Sequence, residues 1–483
     1  MNRRPDRFAS LLPIVLALAT VGLAAAPPGS AEPTRGPLRV SEIHPNYFAD
    51  ASGHPVYLTG SHTWANLQER QYAVTPDFDY DAYLDFLVSH DHNFMRLWTW
   101  EQAHWQQWDT EDNGPIRYSP MPFERTGPGE ALDGGPRFDL TRWNEAWFQR
   151  LRGRVDAARV RGIYVSVMLF QGFSTGVKGI DPATGRSAWD GHPFHPANNV
   201  NGIDGNPDGD AHGNEIHSGR IEDIRRVQEA FVGRCVDAVN DLDNVLWEIG
   251  NELEAPPEFV DGMARLVRTL EAAQPLQHPI GASGYKNTST GEFAWKELLA
   301  APVDFIQPWG AGGDWMGRVP AVDGAPVFIT DTDHGDPWKT DPVWVWRAFC
   351  RGHNPIIMDK YKDARLFPKG AREPDSEYET IRRALGDSRR VSLKVDLGRS
   401  APRGRLSSTG YCLAAPGRSY VVLNPEPGAF DLHLAAGTYA AEWLDVVDGS
   451  TNTDRVTEPK GATRRFDPPA HASDHAVVLV LVR

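Results

Sequence analysis

An amide and a carboxyl stand side by side at the end of an apolar segment of the chain. The segment runs from Asn244 through Val, Leu, Trp, Glu, Ile and Gly to Asn251 and Glu252, and prolines follow at Pro256 and Pro257. This pattern is typical of a buried strand that carries functional groups at its tip. A carboxylic acid there can protonate a glycosidic oxygen, and an amide can bond a ring hydroxyl. The same pair could also cap a helix.

Glycoside hydrolysis requires two carboxyl groups that face one sugar. The best partner for Glu252 follows a second apolar segment, Pro326–Thr330, which is succeeded by Asp331 and Asp333. Residues two apart on an extended strand face the same side, so either aspartate could point at the sugar. An Asp-Thr-Asp sequence could instead cap the next helix.

Short apolar segments alternate along the chain with longer amphipathic ones, which predicts strands alternating with helices. The predicted strands are Pro55–Thr59, Asn93–Trp98, Ile163–Phe170, Val245–Gly250, Pro279–Ser283, Val303–Gln307, Pro326–Thr330 and Asn354–Asp359. The predicted helices are Asp77–His90, Leu140–Arg161, Ile221–Asn240, Phe259–Ala273, Pro342–Arg351 and Glu377–Leu385. Such alternation favours an α/β fold, a closed parallel (β/α)8 barrel of the TIM type.

Aromatic and imidazole residues cluster where the predicted strands end. His62, Trp98, Trp309 and His334 follow four different strands. Sugar faces rich in C–H groups stack on such rings, so these residues are candidate substrate contacts, although core packing is an equal alternative for each one. Two long connections, Glu101 to Arg137 and Gln171 to Arg220, follow the second and third strands. Long loops at strand ends are where barrels build their sites.

From about Val391 the pattern changes to short alternating strands separated by turns, which predicts a C-terminal antiparallel β-sandwich. At the other end, arginines precede an apolar stretch and small residues, which predicts a signal peptide over 1–31, with an uncleaved anchor as the alternative. The predicted domains are therefore the signal peptide, a catalytic barrel over 38–388 and a sandwich over 391–483. We expect the sandwich to brace the barrel.

The composition excludes several classes of protein. The formal net charge of −15 argues against nucleic acid and anionic membrane surfaces as partners. Only three cysteines occur, Cys235, Cys350 and Cys412, and their number and spacing imply buried thiols and no disulfide framework. With the signal peptide, these features predict a secreted or periplasmic protein that does not stay in the membrane after cleavage.

One loop has the spacing of a calcium site. The acids and amides at Asp204, Asn206, Asp208, Asp210 and Glu215 match the twelve-residue calcium-loop pattern, with glycine at its sixth position. The flanking sequence does not form a clear helix–loop–helix. A polar loop without metal therefore remains the alternative to a structural Ca²⁺ site.

The strand-four motif Trp247-Glu-Ile-Gly-Asn-Glu252, Arg96 on strand two and an acid on strand seven resemble clan A glycoside hydrolases. The opening stretch from Tyr47 to Trp64 and the C-terminal sandwich resemble their apiosidase-like, cellulase-like branch more specifically, in which the last domain often carries a collagen-binding label. The resemblance implies a retaining (β/α)8 enzyme with Glu252 as acid/base, Asn251 bonding a sugar hydroxyl and Arg96 keeping the nucleophile ionised. Asp331 aligns with the clan nucleophile, which is usually a glutamate, so Asp333 and an inverting mechanism stay open.

These observations predict a secreted glycoside hydrolase that acts on an oligosaccharide or polysaccharide by a retaining mechanism. Catalysis would need no cofactor, and the partner would be a carbohydrate. The alternative is a non-catalytic carbohydrate-binding or adhesion protein built on the same barrel. Oligomeric state, sugar and linkage are left open.

Overall fold

The computed structural model describes residues 32–71, 77–105, 116–176, 185–308, 321, 324, 326–332, 340–359, 361, 378–470 and 475–483. The predicted signal peptide, Asp333, Trp309 and His334 lie outside the described residues. Within the described part of the chain, no helix is both long and apolar enough to cross a membrane. All three cysteines are free and buried.

Eight parallel strands form the central sheet, as the sequence predicted. Their bounds are β1 Gly60–His62, β2 Phe94–Leu97, β3 Tyr164–Gln171, β4 Val245–Asn251, β5 Ile280–Ser283, β6 Phe305–Gln307, β7 Val327–Asp331 and β8 Asn354–Met358. Hydrogen-bonded neighbours follow the order β1-β8-β7-β6-β5-β4-β3-β2, which is a barrel opened only between β1 and β2. The strands are buried along both faces because helices cover the outside and side chains fill the inside.

Two asparagine side chains guide the chain into β1. Asn93 Oδ1 accepts from Thr59 N at 3.0 Å, and Asn354 Oδ1 accepts from Leu58 N at 3.0 Å. Asn93 N also donates to Thr59 O at 3.0 Å, which joins the edges of β1 and β2. The prediction of a barrel strand at Pro55–Thr59 was therefore wrong by several residues, because Pro55 and Val56 pair with Phe48–Ala49 in a small outer sheet.

Seven α-helices surround the sheet in the described part of the chain. Their bounds are α1 Tyr80–Ser89, α2 Glu145–Arg159, α3 Glu222–Val239, α4 Pro257–Glu271, α5 Trp295–Ala300, α6 Pro342–Cys350 and α7 Glu379–Ser392. Side-chain caps define several starts: Asp79 accepts from Ala82 N before α1, and Asn144 accepts from Ala146 N before α2. Each cap satisfies a backbone donor that the first turn leaves unpaired.

The long connection after β2 is not one irregular loop. Strands Phe123–Glu130 and Pro136–Trp143 form an antiparallel hairpin, and Ile116–Ser119 pairs with both Glu69–Gln71 and His104–Trp105. The prediction that α2 starts at Leu140 was wrong because that residue belongs to the hairpin. After β3, the long connection folds into three short 3-10 helices, Gly172–Thr175, Ala188–Gly191 and Asn214–His217.

The C-terminal region contains two antiparallel sheets. Their strands are β9 Ala401–Pro402, β10 Cys412–Ala415, β11 Ser419–Asn424, β12 Phe430–Leu434, β13 Gly437–Asp445, β14 Thr451–Glu458, β15 Ala462–Phe466 and β16 Val477–Val482. Six strands form one sheet in the order β9-β10-β11-β16-β13-β14, and β12 pairs with β15 in the other. Tyr420 and Val422 of the large sheet share a core with Leu432 and Phe466 of the small one. This is the sandwich that the sequence predicted.

The sandwich packs directly against the barrel helices. Trp346 and Phe349 of α6 share a buried apolar cluster with Leu423, Leu444 and Val478 of the large sheet. Glu442 of β13 accepts from Arg390 of α7 at 2.7 Å, which adds a polar contact beside the cluster. The interface therefore resembles a domain core, and we expect barrel and sandwich to unfold together.

Leu444→Ala tests the coupling between the two domains. Removing a buried leucine from the shared cluster should lower the free energy of unfolding by about 2–5 kcal/mol, whereas Thr438→Ala on the exposed face of β13 should change it by less than about 0.5 kcal/mol. Urea unfolding followed by tryptophan fluorescence and circular dichroism measures both variants. Two separate transitions, with only one shifted by Leu444→Ala, would show that the sandwich does not brace the barrel.

Candidate active site

Arg96 lies at the centre of the polar cluster inside the barrel. Its guanidinium donates to Glu248 Oε2 at 3.0 Å through Nε, to Asp331 Oδ2 at 3.0 Å through Nη1 and to Asn251 Oδ1 at 2.6 Å through Nη2. A second bond joins Nη2 to the other oxygen of Glu248. Arg96 thus connects β2 with β4 and β7, and the expected pairing with Glu248 is present.

The surroundings of Arg96 fix its direction. The guanidinium carbon lies 5.1 Å from the centre of the Trp98 ring, a distance at which cation and ring attract. Asn66 accepts from Trp98 N at 2.9 Å and donates to Arg96 O at 2.7 Å, which holds the end of β2 in place. A buried guanidinium is tolerated only when its donors are satisfied, and here carboxylate and amide oxygens satisfy them.

Trp98 and His62 form a hydrogen-bonded chain that ends on Asp331. Trp98 Nε1 donates to His62 Nδ1 at 2.6 Å, and His62 Nε2 lies 2.6 Å from Asp331 Oδ2. An indole N–H can only donate, so Nδ1 must accept and the proton of a neutral His62 must sit on Nε2. His62 consequently donates to the carboxylate, and the same oxygen receives a bond from Arg96.

Solvent access separates the carboxyl groups of this cluster. Glu248 is 0% exposed, whereas Asp331 and Glu252 are 5% and 7% exposed. Only a carboxyl that reaches the barrel mouth can meet a substrate. Glu248 therefore serves as the buried counterion of Arg96, and Asp331 and Glu252 are the two candidates for chemistry.

Glu252 is held in an unusual backbone conformation. Its φ is 52°, in the left-handed region that costs a residue with a side chain roughly 1 kcal/mol or more. Gly172, just after β3, lies against the same peptide: a Cβ at position 172 would sit 2.0 Å from Glu252 O and 2.8 Å from Leu253 Cα. Only glycine allows this approach, so Gly172 and the turn after β4 together set the direction of Glu252.

Gln171 extends the network from Asn251 to a second acidic group. Asn251 Nδ2 donates to Gln171 Oε1 at 3.2 Å, and Gln171 N donates to Glu101 Oε1 at 2.6 Å. His217 Nε2 lies 3.2 Å from Glu101 Oε1, and His192 Nε2 lies 3.6 Å from Oε2. Burial by itself would raise the pKa of Glu101, but the two histidines outweigh it and lower that pKa to about 2. Glu101 is therefore a permanent anion beside the cleft.

The structure brings five of the predicted site residues into one cluster: Arg96, Asn251, Asp331, His62 and Trp98. Glu252 adjoins the cluster at the end of β4, and the roles of all six residues in binding and catalysis stay predictions. Trp309 and His334 lie outside the described residues.

Gln171 and Gly172 were missed as site residues by the sequence analysis. Gln171 ends β3 directly opposite Asn251, which ends β4, and an amide at a predicted strand tip is the signal that could have found it. The contact of Gly172 with the peptide of Glu252 joins two distant segments and leaves no local pattern.

The predicted calcium loop is ordered by its own side chains. Asp204 Oδ1 accepts from Asn206 N at 2.9 Å, and Asp208 Oδ1 accepts from Asp210 N at 3.1 Å. Burial, and to a smaller extent Asp208, raises the pKa of Glu215. Carboxylate and amide oxygens suit Ca²⁺ in type. Among the described residues, however, no three His, Cys, Asp or Glu side chains converge as a metal site would require. Calcium binding stays a prediction.

Comparison with known proteins supports the assignment of the fold more strongly than the assignment of a family. A family described only as a domain of unknown function, DUF6298, matches residues 104–306. No curated protein sequence matches the chain. A solved structure named as a glycoside hydrolase is similar at 14% identity and a TM-score of 0.57, over 93% of this chain and 97% of that one.

A family 5 glycoside hydrolase of Bacteroides vulgatus is similar at 12% identity and a TM-score of 0.57, over 92% of each chain. At these identities the likeness shows a shared fold, which confirms the predicted barrel with its C-terminal antiparallel sheets. The neighbours belong to the broad group that the sequence resembled. The apiosidase-like branch and the collagen-binding label stay predictions.

Gly172→Ala tests whether the turn after β3 positions Glu252. The added methyl would collide with backbone, so the peptide of Glu252 must move, and displacements of about 1 Å can cost on the order of 10²-fold in rate. Gly233→Ala, in α3 with open space around it, is the matched control and should leave activity unchanged. Steady-state kinetics and thermal melts of both variants provide the measurement. A fully active Gly172→Ala enzyme would contradict the positioning role.

Trp98→Phe tests the proton arrangement on His62. Without the indole donor, His62 can carry its proton on Nδ1 and stop donating to Asp331. A carboxylate that loses a donor ionises at higher pH. We therefore expect the acidic limb of the kcat/KM profile to move to higher pH. Trp100→Phe is the control, because Trp100 Nε1 donates to the backbone oxygen of Trp64 at 2.8 Å and not to His62. Identical profiles for wild type and Trp98→Phe would rule out the arrangement.

Proposed function

We propose that the protein is a glycoside hydrolase that cleaves O-glycosidic bonds of an oligosaccharide or polysaccharide with retention of configuration. One observation carries the proposal: Arg96 and His62 both bond one oxygen of Asp331, a carboxylate at the barrel mouth. Glu252 ends the strand that supplies Asn251, another partner of Arg96. We also propose membership of clan A, in its apiosidase-like branch, and export of the mature chain.

Asp331 is the proposed nucleophile. Hydrogen bonds to a carboxylate stabilise its charged form, and a neighbouring guanidinium does so more strongly. Because both bonds fall on Oδ2, they also fix the rotation of the carboxylate. In the first step a carboxylate oxygen of Asp331 would form a bond to the anomeric carbon while the glycosidic C–O bond breaks.

Glu252 is the proposed acid and base. In the first step its carboxyl proton passes to the leaving oxygen. In the second step Glu252 removes a proton from water while the water oxygen attacks the anomeric carbon and Asp331 leaves as a carboxylate. Asn251, oriented by Arg96 and Gln171, is the proposed donor to the sugar hydroxyl next to the reacting carbon. No cofactor enters either step.

Substitution of the two acids tests the proposal. Glu252→Gln should lower kcat/KM on unactivated glycosides by about 10²–10⁴-fold, because the leaving oxygen then lacks its acid. Aryl glycosides with good leaving groups need no acid in the first step and should react far better. Asp331→Asn should abolish turnover of both substrate types. Azide should rescue Asp331→Ala and give a glycosyl azide of inverted configuration.

Glu254→Gln is the matched control. Glu254 lies two residues beyond Glu252 and pairs with Lys286 at 3.2 Å, so its substitution should leave turnover unchanged. Full activity of Asp331→Asn with loss in Asp333→Asn would move the nucleophile to Asp333. A wild-type protein that binds glycans but hydrolyses none, across aryl glycosides and plant or bacterial polysaccharides, would support the non-catalytic alternative.

A further inference from the structure

We infer that an arginine-lined groove at the junction of barrel and sandwich binds the anionic groups of an acidic polysaccharide. The groove has a volume of about 590 Å³, which falls within the usual size of ligand sites. Arg351, Arg403 and Arg405 line it together with Ser407 and Ser408, and none of the described lining residues carries a carboxylate. We call these five residues the arginine groove.

The three arginines gathered in the groove share the lack of an acidic partner. No carboxylate in the described ranges forms an ion pair with Arg351, Arg403 or Arg405. By contrast, Arg390 pairs with Glu442 at 2.7 Å, close to the same junction. In a chain of net charge −15, three guanidinium groups without counterions form a local reversal of charge. A bound anion would supply the missing partner.

The side chains of the groove retain unused donors. The guanidinium of Arg351 lies 4.8 Å from the centre of the Tyr411 ring, and its buried Nε has no hydrogen-bond partner. Arg403 donates from Nε to Ala414 O at 3.3 Å, and the described residues offer no acceptor to its terminal nitrogens. A buried N–H of a charged group that has no acceptor costs free energy, and an oxyanion can supply the missing acceptor.

The backbone holds the groove in a fixed shape. Gly404 begins a 3-10 turn. A Cβ atom at position 404 would lie 2.2 Å from Gly410 O, so only glycine lets the loop fold back on itself. Ser408 N donates to Asp431 O at 2.9 Å, and Asp431 N donates to Ser408 Oγ at 2.9 Å. The hydroxyl hydrogen of Ser408 stays available to a ligand. Preformed backbone of this kind lowers the entropy cost of binding.

The chemistry selects an oxyanion on a sugar chain. A planar guanidinium binds carboxylate, sulfate and phosphate oxygens in pairs, and serine hydroxyls suit sugar hydroxyls. The choice of a polysaccharide over other polyanions rests on the proposed glycosidase function. The choice of an anion rests on the groove alone.

The groove lies away from the proposed cleft. Arg351 follows α6 and precedes the first residue of β8, Asn354, so it belongs to the end of the barrel where strands begin. Asp331 and Glu252 are at the end where strands stop. The segment of polymer held in the arginine groove is therefore different from the segment that would be cleaved. Binding in the groove would slow the dissociation of the enzyme from long polymers.

Binding is measured on the full chain carrying Glu252→Gln, so that turnover does not change the ligand. The probes are a sulfated polysaccharide, a polyuronate, a neutral glucan and inorganic sulfate, titrated by calorimetry at low and high salt. We expect the two acidic polymers to bind, more weakly at high salt, and the neutral glucan not to bind. Comparing the sulfated polymer with the polyuronate distinguishes sulfate from carboxylate recognition.

The decisive variant combines Arg351→Ala, Arg403→Ala and Arg405→Ala, and should weaken binding of the acidic polymer at least about tenfold, since each lost charge-assisted bond matters. The matched control removes three exposed sandwich arginines, Arg455, Arg464 and Arg465, and should keep wild-type affinity. Arg405→Gln, on an exposed side chain that cannot disturb folding, should weaken binding on its own.

Three results would overturn the inference: no binding of either acidic polymer, equal losses in the two triple variants, or stronger binding of anionic lipid vesicles or duplex DNA than of the polymers. If the wild-type protein hydrolyses no glycan but binds acidic polymers through the groove, the proposed function alone is overturned. Hydrolysis without any such binding would overturn the groove alone.

Discussion

The buried charge of Arg96 is the constraint on which the rest of the barrel interior depends. It joins Glu248 and Asn251 of β4 to Asp331 of β7, so one side chain connects three strands that are far apart in sequence. Removing one partner of a buried ion pair typically costs about 3–5 kcal/mol, because the other charge is left without compensation. The strand order must therefore bring β2, β4 and β7 around a common centre. The same contact that closes the interior also orients the carboxylate of Asp331.

Near this centre, Glu248 and Glu252 are held in place in different ways. Glu248 is enclosed and accepts from Arg96, Ser166 and Gln307. Glu252, in contrast, lies just past the strand end in a left-handed conformation that Gly172 permits. Strain of this kind persists only where surrounding structure over-determines it, and it is common at functional sites. The turn after β4 is thus shaped by packing from β3, and not by the local preference of glutamate.

Much of this could be predicted from the sequence. Strand β3 begins and ends one residue later than predicted, and β4 ends one residue later, because their apolar runs are long and end sharply. Strand β14 leaves little signal in the sequence, because five of its eight residues, Thr451 to Arg455, are exposed in a row and no alternating pattern results. The short strand β1 was predicted several residues too early, because the side chains of Asn93 and Asn354, and not pairing with another strand, bind the backbone of the residues just before it. The bond from His62 to Asp331 joins residues 269 positions apart and leaves no local signal.

The charge balance of the site connects the cleft with the rest of the surface. Glu248 and Asp331 place two carboxylates on one guanidinium. Glu101, whose pKa is held at about 2, adds a third carboxylate that is linked to this cluster through Gln171 and Asn251. An excess of fixed negative charge favours the positive charge that develops on the sugar in glycoside hydrolysis. The same excess would repel a sugar that carries its own carboxylate or sulfate at the reacting position. If the natural polymer is acidic, its charged units must therefore be accommodated elsewhere, and the arginine groove at the opposite end of the barrel offers the matching charge. A polymer that mixes neutral and acidic units fits both surfaces, with the neutral unit at the acids and the charged units on the arginines.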